Sequence, residues 1–157
     1  MLRLPGATVD TMTSDPAAGA QPRRIEVIVV DDHAVFRSAT RLVLAMEPTF
    51  RVVAEAASGE TAVALAAELR PALVLMDVNL PGMDGIEATR RILAVQPETV
   101  VVLLSAYDLD DLPADARTCG AVACLHKSDF SPAALRQSWA AARPLPPSRP
   151  PQQSTSP

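Results

Sequence analysis

LVLMDVNLPGMDGI, residues Leu73–Ile86, is the part of the sequence from which the fold of this chain is most readily predicted. It opens with a short apolar run, 73–76, which is too short for a helix and typical of a strand buried on both faces. The run ends on the carboxylate of Asp77, and the chain then turns at Pro81 and Gly82. Open α/β sheets place their sites beyond the carboxyl ends of the strands. Asp77 is therefore a candidate functional residue, although a lone aspartate here is more often a turn or capping residue.

Three further apolar runs also end in polar side chains. Residues 25–32 (IEVIVVDD) end in adjacent carboxylates, residues 100–105 (VVVLLS) end in a hydroxyl, and residues 121–126 are followed by a lysine. If these runs form parallel strands, their polar ends emerge at one edge of one sheet. The side chains that would meet there are Asp31, Asp32, Asp77, Ser105 and Lys127.

This set of side chains indicates phosphoryl chemistry. Clustered carboxylates repel one another, and a divalent cation relieves that repulsion. Ligands that are all oxygen suit Mg²⁺, which takes few carboxylates and keeps several waters. A lysine and a hydroxyl beside them can bind the oxygens of a phosphoryl group. The pattern therefore predicts phosphoryl transfer onto a carboxylate, with one aspartate as the nucleophile.

Three motifs carry a resemblance to a known family: MDVNLPGMDGIEATRR at 76–91, DDHAVFR at 31–37 and LSAYD at 104–108. With them, residues 24–143 resemble the receiver domain of bacterial two-component response regulators. The alternation of strands and helices predicts an α/β fold, a doubly wound parallel sheet with helices on both faces. The resemblance implies five strands in the flavodoxin-like order 2-1-3-4-5.

The resemblance also implies roles for individual residues. Asp77 would be the phosphoacceptor, and Ser105 would turn inward to bond the phosphoryl group, which pairs with Lys127. The small Ala106 would leave room for a phosphodonor. The implied Mg²⁺ ligands are Asp31, Asp32, Asp77 and the backbone carbonyl of Asn79.

One position departs from the family pattern. Receivers usually carry Tyr or Phe three residues before the lysine, and here that position is Cys124. An aromatic rotation coupled to Ser105 therefore cannot occur. This departure bears on the output of the domain more than on its phosphorylation.

The hydrophobic pattern sets the expected elements. Strands are predicted at 25–30, 51–56, 73–77, 99–104 and 122–126, and helices at 34–46, 60–69, from 84 onward, at 111–118 and from 132 to about 142. Caps are expected at Ser58, Asp84 and Ser131. Val43 and Leu69 are placed on inward helix faces. The fourth helix is expected to be short and late because of Pro113, and His33 to be a solvated first-turn residue rather than a metal ligand.

The composition of the chain limits the classes of function that it could have. The 157 residues suit one domain, 48% of them are hydrophobic, and the net charge of −4 argues against a nucleic-acid surface. No run approaches a membrane span, and no secretory signal is visible, so a cytoplasmic protein with free thiols is expected. Residues 1–23 are predicted to be a disordered extension, with Met12 as an alternative start, and residues 144–157 a disordered proline-rich tail.

Four functions compete at this point. The favoured one is a stand-alone receiver, not a turnover enzyme, which takes a phosphoryl group from a histidine kinase or phosphotransfer protein and signals to an unknown downstream protein. The expected output face is formed by the fourth helix, the fifth strand and the fifth helix. A homodimer could form through this same face. The alternatives are a phosphorylation-independent binding module, a truncated relative of a DNA-binding regulator, and an aspartate-nucleophile phosphatase. The last is disfavoured because Asn79 stands where the second acid would be.

Overall fold

The structure is a computed structural model that describes residues 23–143. Apart from Arg23, the predicted extensions at both ends therefore lie outside the described residues. The strands are β1 (Ile25–Val30), β2 (Phe50–Ala56), β3 (Leu73–Asp77), β4 (Val100–Ser105) and β5 (Ala123–His126). The α-helices are α1 (Ala34–Ala45), α2 (Gly59–Leu69), α3 (Gly85–Val95) and α4 (Pro132–Ala142).

The five strands form one parallel sheet in the order β2-β1-β3-β4-β5. The predicted fold and strand order are confirmed. Strand β3 lies at the centre, and all of its residues are buried. In the register, Asp77 stands beside Leu104, and Ser105 stands beside His126. The polar ends of the strands therefore share one edge of the sheet.

The alternation of side chains along the strands gives the sheet an apolar core on each face. Val74 and Met76 pack with residues of α2 and α3, whereas Leu73 and Leu75 pack on the opposite face with residues of α1 and α4. Because both faces are covered, the strands are nearly continuous apolar runs, as parallel sheets require. Among the described residues, no helix has the length and hydropathy that crossing a bilayer requires.

The predicted helix starts are confirmed by their caps. The Ser58 hydroxyl accepts a hydrogen bond from the Thr61 amide at 3.2 Å. The Asp84 carboxylate accepts one from the Glu87 amide at 2.8 Å. Ser131 caps α4 in the same way, with Pro132 at the first helical turn. Each cap satisfies an amide that the helix itself leaves without an acceptor.

The predicted helix at 111–118 is wrong. The segment instead forms two 3₁₀ turns, Leu109–Asp111 and Ala114–Arg117. Leu112 and Pro113 separate them with extended ψ angles of 145° and 144°. A proline disfavours the helical conformation of the residue before it and lacks an amide donor of its own. Leu112 is therefore forced out of the helical region, and the helix does not form.

The inward orientation predicted for two side chains is also wrong. Val43 is 40% exposed and Leu69 is 38% exposed. Val43 precedes the buried Leu44, and one step along a helix turns a side chain by about 100°. Leu69 is the last residue of α2, where the helix has run past the apolar core.

Candidate functional site

A lysine joins the two most buried acids of the sheet edge. Asp31 follows β1 and is fully buried, whereas Asp77 ends β3 and is 2% exposed. The Nζ atom of Lys127, directly after β5, lies 2.5 Å from Asp31 Oδ2 and 3.2 Å from Asp77 Oδ2. The structure therefore brings together three of the residues that the strand pattern placed at this edge.

The Asp77 carboxylate is held in a defined orientation. Its Oδ1 accepts a hydrogen bond from the Asn79 amide at 3.1 Å, and its Oδ2 faces Lys127. Burial raises the pKa of Asp77 above its ordinary value, and the charge of Asp31 raises it further, while Lys127 and the Asn79 amide lower it. The carboxylate is thus poorly solvated, which suits a nucleophile.

Lys127 stays charged despite its surroundings. Burial lowers the pKa of the ammonium, but the hydrogen bond to Asp31 and the charges of Asp77 and Asp31 outweigh burial, so that the pKa lies above its ordinary value. The Phe36 ring also lies under the ammonium, with its centroid 4.7 Å from Nζ. A permanent cation therefore stands between the two buried carboxylates.

Gly85 is a site residue that the sequence reasoning missed. A Cβ added at this position would collide with the backbone carbonyl oxygen of Asp77. The Gly85 amide also donates to the Val78 carbonyl at 3.0 Å, which holds the start of α3 against the turn after β3. The signal was the glycine directly after the capping Asp84, since close backbone approach favours glycine.

His33 contacts the acids although it is exposed. Its side chain is 71% exposed, as expected for a solvated residue, yet its Nδ1 atom lies 3.1 Å from both Asp31 Oδ1 and Asp32 Oδ1. Its backbone amide donates to Asp31 Oδ1 at 2.8 Å. The sequence reasoning foresaw the exposure of this residue but not these contacts.

The acidic residues fit a divalent cation. One potential ligand atom from each of Asp31, Asp32, His33 and Asp77 lies within 4.8 Å of all the others. Ligands of one octahedral Mg²⁺ at about 2.1 Å are separated by at most about 4.2 Å, so small side-chain shifts suffice. The oxygen donors match the preference of Mg²⁺.

Comparison with known proteins assigns the family. Residues 27–140 match the family described as the response regulator receiver domain. The chain belongs to this family. It is 41% identical to the response regulator GacA of Pseudomonas aeruginosa over 103 residues, which cover 66% of this chain and 48% of GacA. The chain thus spans about half the length of that relative.

Solved receiver structures share the fold. The receiver domain of the response regulator NarL from Mycobacterium tuberculosis superposes with a TM-score of 0.69 and 30% identity, over 75% of this chain and 98% of that domain. A chain of the complex of CheX, CheY, BeF₃ and Mg²⁺ from Borrelia burgdorferi gives a TM-score of 0.64 and 26% identity, over 74% of this chain and 87% of that chain. The likeness covers the described domain.

Ser105 of this receiver points to the following loop. Its hydroxyl is fully buried, accepts a hydrogen bond from the Tyr107 amide at 3.0 Å and donates to the Tyr107 carbonyl at 3.2 Å. The next residue, Ala106, is exposed, and His126 lies with Nε2 3.1 Å from the Ala106 carbonyl. The loop after β4 is therefore fastened by polar contacts on both sides of Ala106.

Cys124 lines a groove where receivers usually carry an aromatic ring. The groove measures about 300 Å³ and lies between β5 and the 3₁₀ turns, with Leu109, Leu112 and Ala116 on its other side. Burial raises the pKa of the Cys124 thiol above its ordinary value, and Cys119 raises it further. Both cysteines are free thiols. The space left by the small side chain is thus open rather than closed by a helix.

Proposed function

We propose that this receiver takes a phosphoryl group onto Asp77 from a histidine kinase or phosphotransfer protein, in a Mg²⁺-dependent reaction, and signals through protein contacts. The observation that carries the proposal is the Lys127 ammonium, which bridges the buried carboxylates of Asp31 and Asp77. Such an arrangement holds one carboxylate ready beside a fixed positive charge. We further propose residues 24–143 as the functional unit.

The transfer forms one bond and breaks another. A carboxylate oxygen of Asp77 attacks the phosphorus atom, while the bond from phosphorus to the donor nitrogen of a phosphohistidine, or to the donor oxygen of acetyl phosphate, breaks. The bonding electrons leave with the donor. A Mg²⁺ ion held by Asp31, Asp32, Asp77 and the Asn79 carbonyl would supply positive charge to the phosphoryl oxygens.

The surrounding side chains have separate tasks in this proposal. Lys127 would move from the acids to the phosphoryl oxygens, since its charge is already within reach of Asp77. Ser105 would leave the backbone of Tyr107 and donate its hydroxyl to the phosphoryl group. The exposed Ala106 offers little bulk against the approach of a donor. The loss of the Ser105–Tyr107 contacts would let the loop after β4 rearrange and pack closer to the phosphoryl group.

The rearranged loop leads to the output surface. Tyr107 is 61% exposed, Leu109 is 42% exposed and Val122 is 44% exposed, and they lie around the 3₁₀ turns and β5. Exposed apolar side chains of this size commonly serve protein contacts. A downstream protein, or a second copy of the chain, would dock here according to the state of the loop. The chain itself turns over no substrate in this scheme.

Cys124 supports a second candidate function. Because the usual aromatic ring is absent, the link between Ser105 and the output surface is weaker than in other receivers. A binding module that works without phosphorylation would tolerate this change. The chain would then be a receiver-like partner of another protein.

A single labelling experiment separates these candidates. The full chain is incubated with acetyl phosphate and Mg²⁺, with EDTA in place of Mg²⁺ as the control, and the intact mass is measured. The proposal expects the added mass of one phosphoryl group only with Mg²⁺. A chain that gains no mass under either condition would favour the phosphorylation-independent module.

A further inference from the structure

We propose that His33 supplies a nitrogen ligand to the acidic site, so that the site binds divalent first-row transition metals such as Co²⁺ and Mn²⁺ through its imidazole. The inference rests on the metal site of the proposed function but not on phosphoryl transfer. The implied Mg²⁺ site needs only oxygen ligands, so a nitrogen at this position gives the chain a preference that those acids alone do not provide.

The position of the His33 ring matches a shared ion. Nδ1 lies 3.1 Å from Asp31 Oδ1 and 3.1 Å from Asp32 Oδ1. Adjacent ligands of one octahedral ion at about 2.1 Å are separated by about 3.0 Å. Nδ1 can therefore be a neighbouring ligand to either carboxylate oxygen on one cation without a large rearrangement. Asp77 completes the group, since a carboxylate oxygen of it lies within 4.8 Å of the other ligand atoms.

The backbone holds the ring at this position. His33 is the N-cap residue of α1, with extended dihedral angles of −88° and 107°. Its amide donates to Asp31 Oδ1, the same oxygen that faces Nδ1. Lys127 occupies the other oxygen, Oδ2, so that the lysine and the histidine approach different atoms of Asp31. Neither has to leave for the other to keep its contact.

The ring has a second nitrogen available for its proton. The side chain is 71% exposed, which allows Nε2 to be solvated. When the proton sits on Nε2, the lone pair of Nδ1 points at the space between the two carboxylates. Neutral imidazole is a good ligand for transition metals, and affinity rises from Mn²⁺ through Co²⁺ along the first row.

A competing explanation makes the opposite prediction. If His33 serves as a cationic partner of the acids, it competes with every divalent ion, and its removal would increase the affinity for Mg²⁺ and Co²⁺ alike. If His33 is a ligand, its removal weakens the binding of ions that accept nitrogen and affects Mg²⁺ less. The direction of the change therefore separates a ligand from a charge partner.

Calorimetric titration of the full chain with Mg²⁺ and with Co²⁺ measures this direction. We expect His33→Ala to lower the affinity for Co²⁺ at least about tenfold, and by more than it lowers the affinity for Mg²⁺. His33→Ser repeats the test with a good N-capping residue, which protects against a loss of helix α1. The matched control is His126→Ala, because the chain contains only these two histidines.

Pulsed EPR of bound Mn²⁺ gives a second, direct readout. A ¹⁴N coupling is expected in the wild-type chain and in His126→Ala, and it should be absent from both His33 variants. The inference would be overturned if the His33 variants lost affinity equally for Mg²⁺ and Co²⁺, or gained affinity for both ions. A wild-type spectrum without ¹⁴N coupling would also overturn it. Labelling of the wild-type chain by acetyl phosphate tests the proposed phosphorylation separately, because that labelling does not depend on a nitrogen ligand.

Discussion

Lys127 and Asp31 are 96 positions apart in the sequence, and the lysine Nζ lies 2.5 Å from Asp31 Oδ2. Asp31 is fully buried, whereas the Lys127 side chain is 15% exposed. The pair thus ties the end of β1 to the end of β5 across β3 and β4, the middle of the sheet. A buried carboxylate that loses such a partner is left with an uncompensated charge.

Replacing Lys127 by methionine should therefore lower the free energy of unfolding. Lys127→Met removes the ammonium but keeps a long side chain, and the expected loss is about 1–3 kcal/mol in urea unfolding. Lys127→Arg keeps the charge and should retain more of the stability. An unchanged free energy of unfolding in the methionine variant would contradict the importance of the pair.

Asp77→Asn should change how stability depends on pH. Because the folded-state pKa of Asp77 lies above its ordinary value, the wild-type chain loses stability as the pH rises from that ordinary value through the folded-state pKa. The asparagine variant has no carboxyl group to deprotonate at this position, so it does not lose stability in this way. We expect the variant to be more stable at pH 7, by on the order of 1 kcal/mol, and the difference to shrink towards pH 4.

The control for this measurement is Asp110→Asn, since Asp110 is fully exposed. Its effect on the free energy of unfolding should be small at both pH values. If Asp77→Asn is less stable than wild type at pH 7, burial and the charge of Asp31 do not dominate the pKa of this carboxyl group.

Gly85→Ala should destabilise the domain. The added methyl group would meet the carbonyl oxygen of Asp77, so the start of α3 or the end of β3 has to move. We expect a loss of about 2–4 kcal/mol. Ala94→Ser changes an exposed position on the same helix and should cost less than about 0.5 kcal/mol. Equal effects of the two substitutions on chemical unfolding would show that the contact is not tight.

The segment 107–118 should respond to phosphorylation. Its short 3₁₀ turns and exposed residues predict rapid hydrogen exchange at rest. Beryllofluoride with Mg²⁺ mimics the phosphoryl group and should increase protection there, because Ser105 and Lys127 would then hold the rearranged loop against the site. Cys124→Tyr should raise the resting protection by filling the groove, and Cys124→Ser is its control. High resting protection that does not change with beryllofluoride would argue for the phosphorylation-independent module.

The sequence predicted the sheet well because each strand is an apolar run that ends in a polar side chain. Helix capping by Ser58 and Asp84 was equally predictable, because a cap depends on residues close in sequence. The helix at 111–118 was wrong because the conformation of Leu112, set by the following proline, outweighed the helical pattern. Gly85 was missed because its close approach to the Asp77 carbonyl depends on how the turn after β3 folds back. The contacts of His33 with Asp31 and Asp32 are local, but they depend on backbone and side-chain conformations that the residue types alone do not set.

Borohydride trapping can show whether Asp77 alone accepts the phosphoryl group. An acyl phosphate is reduced by borohydride to an alcohol, so the modified aspartate becomes homoserine and can be located by peptide mass spectrometry. After treatment with acetyl phosphate and Mg²⁺, we expect homoserine at position 77 of the wild-type chain and none in the Asp77→Asn variant. Homoserine at Asp31, Asp32 or Asp84 of the wild-type chain, or trapping that persists in Asp77→Asn, would show that Asp77 is not the sole phosphoacceptor.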